Sequence, residues 1–240
     1  MQSPANANSH LVVFDIDGTL TDTNVVDGEC YWQAVCEVLG LSGEQPDWSN
    51  FRHVTDTGIA TELCRRHLGR QLRAVESAAI GTRLAALLAH SMVSTDPVAY
   101  QIPGCAVVLS FLRHASEFAV ALATGGLRVS AELKLKRAEL KLGDLPFASS
   151  DDAVSREDIL RIAAERAAEK YRAPFASVTY VGDGVWDVRA ARALAWRFIG
   201  IGAGEQAERL RQAGASTVIP DYRSCEVFLA LLLNASAPIS

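Results

Sequence analysis

From residue 95 onward, short apolar runs alternate with stretches of helical spacing, and this alternation restricts the possible folds more than any other feature. The runs 118–123, 147–149, 177–181, 197–201 and 217–219 read as strands. The stretches 104–114, 130–142, 185–195, 205–213 and 225–233 read as helices, as does a segment starting at Ser155. Ser155 and Asp158 have the spacing of a capping box, and Ile159, Ile162 and Ala163 then fall on one face. Strand-helix alternation requires parallel strands joined by right-handed crossovers. The run Leu11 to Phe14 is apolar without alternation, as for a strand buried on both faces, and it must join the same sheet. The expected class is therefore α/β, a Rossmann-like parallel sheet with helices on both faces.

The alternation stops between residues 21 and 93, where 29–39, 59–68 and 73–92 all read as helices without a convincing strand between them. This pattern predicts an all-helical subdomain over 21–93, inserted into an α/β core domain made of 1–20 and 94–240. The neighbourhoods 22–27 and 94–102 are polar or carry Pro97, with Pro103 just beyond, and suit two hinge strands.

The first strand runs into Asp15-Ile16-Asp17-Gly18-Thr19. Side chains two apart in an extended chain point to the same side. Asp15 and Asp17 can thus share one small volume at the carboxyl end of a strand, where open α/β sheets keep their ligands. Two carboxylates that close repel unless a cation or a shared proton intervenes. Gly18 permits a sharp turn. An ordinary turn accounts for the pentapeptide equally well, since Asp and Gly are common turn residues. An EF-hand does not fit, because Gly18 comes fourth instead of sixth and Val26 stands where the closing glutamate would be.

Three more segments have the same form. The strand 118–123 delivers Thr124, followed by Gly125 and Gly126, whose amides can approach a phosphate closely, although Thr-Gly-Gly is also a plain turn. Arg156 stands at a helix start. The strand 177–181 leads into Gly182-Asp183-Gly184-Val185-Trp186-Asp187.

In this order the segments resemble the four motifs of the haloacid dehalogenase (HAD) superfamily. The similarity is to its phosphoglycolate phosphatase and β-phosphoglucomutase-like branch, which carries a helical cap inserted after the first motif. The resemblance covers residues 11–220, the insert matching in position and type only. The family usually has lysine, often Lys-Pro, at the third motif. Arg156 keeps the charge but is not equivalent to lysine, and Lys134 and Lys136 are alternative candidates.

The resemblance implies a Mg2+-dependent phosphatase acting on a small soluble phosphomonoester, with Asp15, Asp17 and Asp183 holding the metal, Asp17 through its main-chain carbonyl. It implies Asp15 as nucleophile, forming an aspartyl-phosphate, and Asp17 as the acid and then the base. Thr124, Gly125, Gly126 and Arg156 would hold the phosphoryl group, with Asp187 in support. Asp17 favours phosphate over dehalogenase chemistry, because an alkoxide leaving group needs a proton. A sugar-phosphate phosphomutase using the same intermediate is the alternative, and a non-catalytic binding protein a further one. In the insert, Asp22, Asn24, Thr55, Asp56, Thr57 and Gly58 could contact a substrate or serve as loop and cap residues.

Composition narrows the partners. With a formal net charge of -5 and no basic block, nucleic-acid and anionic-membrane binding have no electrostatic support. No apolar run reaches the roughly 18 residues of a membrane helix. The five cysteines are scattered without a CxxC pair and suggest reduced thiols in a cytoplasmic protein. The polar stretch 1–10 lacks the apolar core of a signal peptide and reads as a loose arm, which makes the Asn234-Ala235-Ser236 sequon incidental. Oligomeric state leaves no mark in the sequence.

Overall fold

Strand β1 (His10–Phe14) lies inside a six-stranded parallel sheet, flanked by β2 (Phe118–Ala123) and β4 (Ser177–Gly182). With β3 (Phe147–Ala148), β5 (Arg197–Ile201) and β6 (Val218–Ile219), the order is β3-β2-β1-β4-β5-β6. The computed structural model describes residues 10–94, 96–140, 143–172 and 174–234. Phe14 is level with Leu122 of β2 and Val181 of β4. Asp15 therefore leaves the sheet beside Ala123 and Gly182, and Thr124 and Asp183 follow one residue on. The register alone brings three of the expected site residues to one edge of the sheet.

Alternation along β1 divides the core into two layers. Val12 and Phe14 pack with Val108 and Leu112 of α4 (Cys105–His114), Ala131 and Leu135 of α5 (Arg128–Arg137), and Phe228 of α9 (Cys225–Asn234). Leu11 and Val13 face the opposite layer. There they meet Ile159 and Ala163 of α6 (Arg156–Tyr171), Val188 and Ala191 of α7 (Val185–Ala193), and Leu210 of α8 (Gly204–Gln212). Every residue from Leu11 to Phe14 is fully buried, so this strand has no solvent face and needs none of the polar alternation of a half-exposed one.

Between β1 and β2 come α1 (Asn24–Leu39), α2 (Asp56–Leu68) and α3 (Ala74–Ser91), with short 3-10 turns at Trp48–Asn50 and Pro97–Tyr100. These helices share a separate core that includes Tyr31, Val35, Ile59, Leu63, Leu84 and Leu88. Helix α1 packs on α3, and α3 in turn touches α5.

Two boundaries differ most from the sequence reading. Helix α1 starts at Asn24, so most of the stretch expected as a first hinge strand is helical; the Asp27 amide already donates to the Thr23 carbonyl at 2.8 Å. Its polar residues mark a helix end that faces a polar cavity, not irregular chain. Helix α5 ends at Arg137 instead of 142, because the Leu140 amide returns to the Leu135 carbonyl at 3.0 Å and Glu139 takes a left-handed φ of 49°. The expected N-terminal arm (1–9), Leu142 and the end of the sequon lie outside the described residues. All five cysteines are free thiols. No helix among the described residues is long and apolar enough to cross a membrane.

Candidate active site

The turn after β1 is built on one carbonyl. Ile16 O accepts from the amides of Thr19, Leu20 and Thr21, and Gly18 N donates to Thr21 O at 2.7 Å. This fold-back holds Gly18 at φ 68°, where a Cβ would lie 2.0 Å from Asp183 Oδ2 and 2.3 Å from Asn24 Nδ2. Glycine is needed at this point both for the conformation and for the close approach of the first and fourth motifs.

Asp15 is buried, and its amide donates to Val181 O at 2.9 Å. Its Oδ1 has no hydrogen-bond donor; the nearest cation is Arg156 Nη1, at 3.5 Å. Carboxylate oxygens of Asp15, Asp183 and Asp187 lie within 4.8 Å of one another. Burial first, then repulsion from Asp187, holds the Asp15 carboxyl well above the usual carboxylate range. The same two causes push Asp183 up to about 8. An orphaned buried oxygen within a purely oxygen donor set fits a hard divalent cation, which would relieve both penalties.

Arg156, the first residue of α6, stands at the centre of this group. Its Nη1 is 3.0 Å from Asp187 Oδ1 and 3.3 Å from Tyr180 Oη, and its Nη2 donates to Val54 O at 3.0 Å. Asp187 is fully buried and accepts from Tyr180 Oη and from the Gly184 amide, both at 2.8 Å. Asp183 Oδ2 accepts from Asn24 Nδ2 at 2.8 Å, and its main-chain carbonyl accepts from Gln206 Nε2.

Thr124 follows β2 directly, its hydroxyl accepting from the Gly126 amide at 3.0 Å. A Cβ on Gly125 would fall 2.2 Å from Arg156 Nη2, so the guanidinium lies directly against that glycine. The same loop is tied to α2: Asp56 N donates to Gly125 O, and Leu127 N donates to Asp56 Oδ2, each at 2.8 Å.

The carboxylate of Asp17 lies outside the Asp15-Asp183-Asp187 group. Thr23 Oγ1 donates to its Oδ1 and Lys134 Nζ to its Oδ2, both at 2.6 Å. Lys134 is fully buried and donates at 2.6 Å to Asp27 Oδ1 of α1 as well. Burial alone would lower the proton affinity of this lysine, but the Asp17 and Asp27 carboxylates override it and raise it. Asp27 in turn is pushed up to about 6, burial outweighing the attraction of Lys134. Of the three cations considered for the third motif, only Arg156 reaches Asp15 and Asp187; Lys136 lines a separate recess beside Phe147.

Four residues here escaped the sequence reading: Thr23, Asp27, Tyr180 and Gln206. Tyr180 offered only a phenol inside an apolar strand. Asp27 offered the helical spacing Thr23-Asp27 in a segment read as hinge.

A parallel sheet whose β1, β2 and β4 ends deliver Asp15 and Asp17, Thr124 and Asp183 to one edge, with Arg156 beside Asp15, defines the architecture of the HAD hydrolases. The haloacid dehalogenase-like hydrolase family model matches residues 10–194, and the chain belongs to that family. A search of curated proteins found no match. Among solved structures, a hydrolase from Pseudomonas syringae is similar at 21% identity and TM-score 0.69, over 95% of this chain and 100% of that one. A putative β-phosphoglucomutase from Bacteroides vulgatus is similar at 18% identity and TM-score 0.65, over 95% and 90% of the two chains. A predicted phosphoglycolate phosphatase from Haemophilus somnus is similar at 14% identity and TM-score 0.61, over 95% and 99%.

Proposed function

We propose that this hydrolase cleaves a small soluble phosphomonoester through an aspartyl-phosphate on Asp15, with Mg2+ as its metal. One observation carries the reading: Asp15, Asp17, Thr124, Arg156 and Asp183 line a single cavity of about 500 Å3 at the carboxyl edge of the sheet. Asp15, Asp183 and the Asp17 main-chain carbonyl would hold Mg2+, which supplies charge neutralisation for the dianionic phosphoryl group.

Asp15 attacks phosphorus with one carboxylate oxygen as the P–O bond to the alcohol breaks. Asp17 acts as the general acid that gives a proton to the departing alkoxide. It then takes a proton from the water that cleaves the acyl phosphate, which regenerates Asp15 and releases inorganic phosphate. Thr124, the Gly125 and Gly126 amides and Arg156 hold the phosphoryl oxygens while charge moves between them. Asp187 and Tyr180 position the Arg156 guanidinium, and Thr23 and Lys134 fix the carboxylate of Asp17. Helices α1–α3, within residues 21–93, act as a cap over the core formed by 1–20 and 94–240 and exclude water during the reaction.

Turnover of p-nitrophenyl phosphate with Mg2+ tests the activity. EDTA should abolish it and Mg2+ restore it, whereas full activity in chelator would overturn the metal assignment. Asp15→Asn should form no acid-stable, hydroxylamine-sensitive phosphoprotein. Transfer of the phosphoryl group to a sugar hydroxyl instead of water would mark a phosphomutase.

A further inference from the structure

If this site cleaves phosphomonoesters, its walls also limit the alcohol. Six carboxylates line the cavity: Asp15, Asp17, Asp22, Asp27, Asp56 and Asp183. The single cation among the described lining residues is Arg156; its two Nη groups serve Asp187, Tyr180, Val54 and the Asp15 side of the site, and only its buried Nε lacks a partner. Lys134 lies below the surface, and its charge is shared between Asp17 and Asp27.

With Asp15, Asp17 and Asp183 assigned to metal and chemistry, Asp22 and the second oxygens of Asp27 and Asp56 remain for the alcohol, since Asp27 Oδ1 accepts from Lys134 and Asp56 Oδ2 from the Leu127 amide. Tyr31, Trp48, Ile59 and Trp186 add aromatic and apolar surface to the same cavity. A carboxylate or second phosphate on the alcohol would meet no cation among the described lining residues besides Arg156, and like charge from Asp22, Asp27 and Asp56 would oppose it. Hydroxyl or ammonium groups would instead find acceptors, and their carbon skeleton would find aromatic faces.

We infer that the substrate is a phosphomonoester whose alcohol carries hydrogen-bond donors, as hydroxyls or an ammonium group, and no second anionic group. This inference rests on the phosphatase reading above and narrows it. It also sets the chain apart from a phosphatase specific for phosphoglycolate, whose alcohol carries a carboxylate.

The test is kcat/KM of the full chain with Mg2+ on matched esters. Glycerol 3-phosphate represents the hydroxyl-bearing arm and O-phosphoethanolamine the ammonium arm. Against them stand 2-phosphoglycolate, 3-phosphoglycerate and fructose 1,6-bisphosphate. At least one donor-bearing ester should exceed every second-anion ester by about tenfold or more, and the better arm identifies the donor. Asp22→Lys, at an exposed position on the cavity wall, should narrow that gap by favouring the second-anion esters. Second-anion esters turned over as well as or better than both donor-bearing arms would overturn the inference while leaving the phosphatase reading intact. An Asp22→Lys ratio identical to wild type would also count against it. Failure of every ester, p-nitrophenyl phosphate included, would remove the phosphatase reading and this inference together.

Discussion

Arg156→Ala should cost both stability and catalysis, by amounts the structure allows to be worked out. The guanidinium is 3.0 Å from Asp187 and 3.5 Å from Asp15, and its side chain is only 11% exposed. Removing it leaves Asp187, its closest ion-pair partner, buried without its counter-charge. Breaking a buried pair by deleting one partner costs about 3–5 kcal/mol. Asp187 retains its donors from Tyr180 and Gly184, which places the expectation near 3 kcal/mol at the low end. A domain of this size loses about 2–4 °C of Tm per kcal/mol, so the metal-free variant should melt about 6–12 °C lower at neutral pH.

On catalysis, losing one preorganised donor to the phosphoryl group should lower kcat by about 10²–10³-fold. Arg156→Lys should recover part of each loss, because one ammonium cannot serve Asp187 and Val54 O as the two guanidinium nitrogens do. Differential scanning calorimetry and steady-state turnover measure the two quantities separately. An Arg156→Ala protein within about threefold of wild-type activity and with unchanged Tm would refute the electrostatic reasoning.

Asp17→Asn should slow alkyl phosphates much more than p-nitrophenyl phosphate, since only the poor leaving group needs a proton; equal losses on both would contradict the acid role. Metal-free protein should lose stability as pH rises from about 4 toward about 8, because Asp183 moves from 3.8 up to about 8 on folding. A raised carboxyl binds its proton more tightly in the folded state, so that stabilisation is present at low pH and is lost as pH rises through the folded value. Denaturant unfolding across this window, with and without Mg2+, reads the effect. Saturating metal should flatten the slope, and a metal-free slope of the opposite sign would contradict the assignment.

The parts of the site carried by strand ends were legible in the sequence. An unbroken apolar run followed by Asp-x-Asp-Gly, Thr-Gly-Gly or Gly-Asp states both the strand and the group it delivers. Arg156 could be placed near a helix start, but its preference over Lys134 depends on which strands are neighbours: α6 faces the Asp15 side only because β1 lies between β2 and β4. Lys134 stands 117 residues from Asp17 and 107 from Asp27, a convergence no local pattern encodes. Tyr180 was hidden for the opposite reason. An aromatic residue in a buried strand satisfies the apolar pattern, and its hydroxyl becomes meaningful only once Asp187 has folded back against it.

The early start of α1 changes how the insert should be understood. Thr23, Asn24 and Asp27 belong by sequence to the helical insert, yet they bind Asp17, Asp183 and Lys134. On the other side of the cavity, Thr55 and Thr57 donate to Val154 O and Ser150 O, and Asp56 binds the loop 125–127. The two layers of the sheet are held by apolar burial, whereas this seam also carries a dense set of polar contacts. Each neutral hydrogen bond of this kind contributes a net of about 1 kcal/mol, because water replaces it when it breaks. The Lys134-Asp27 pair differs, since parting it would strand charge away from water. Polar residues that look like ordinary loop and cap residues in the chain are therefore the partners of the loops that build the candidate site, and substitutions at Thr23, Asn24 or Asp56 should alter that site.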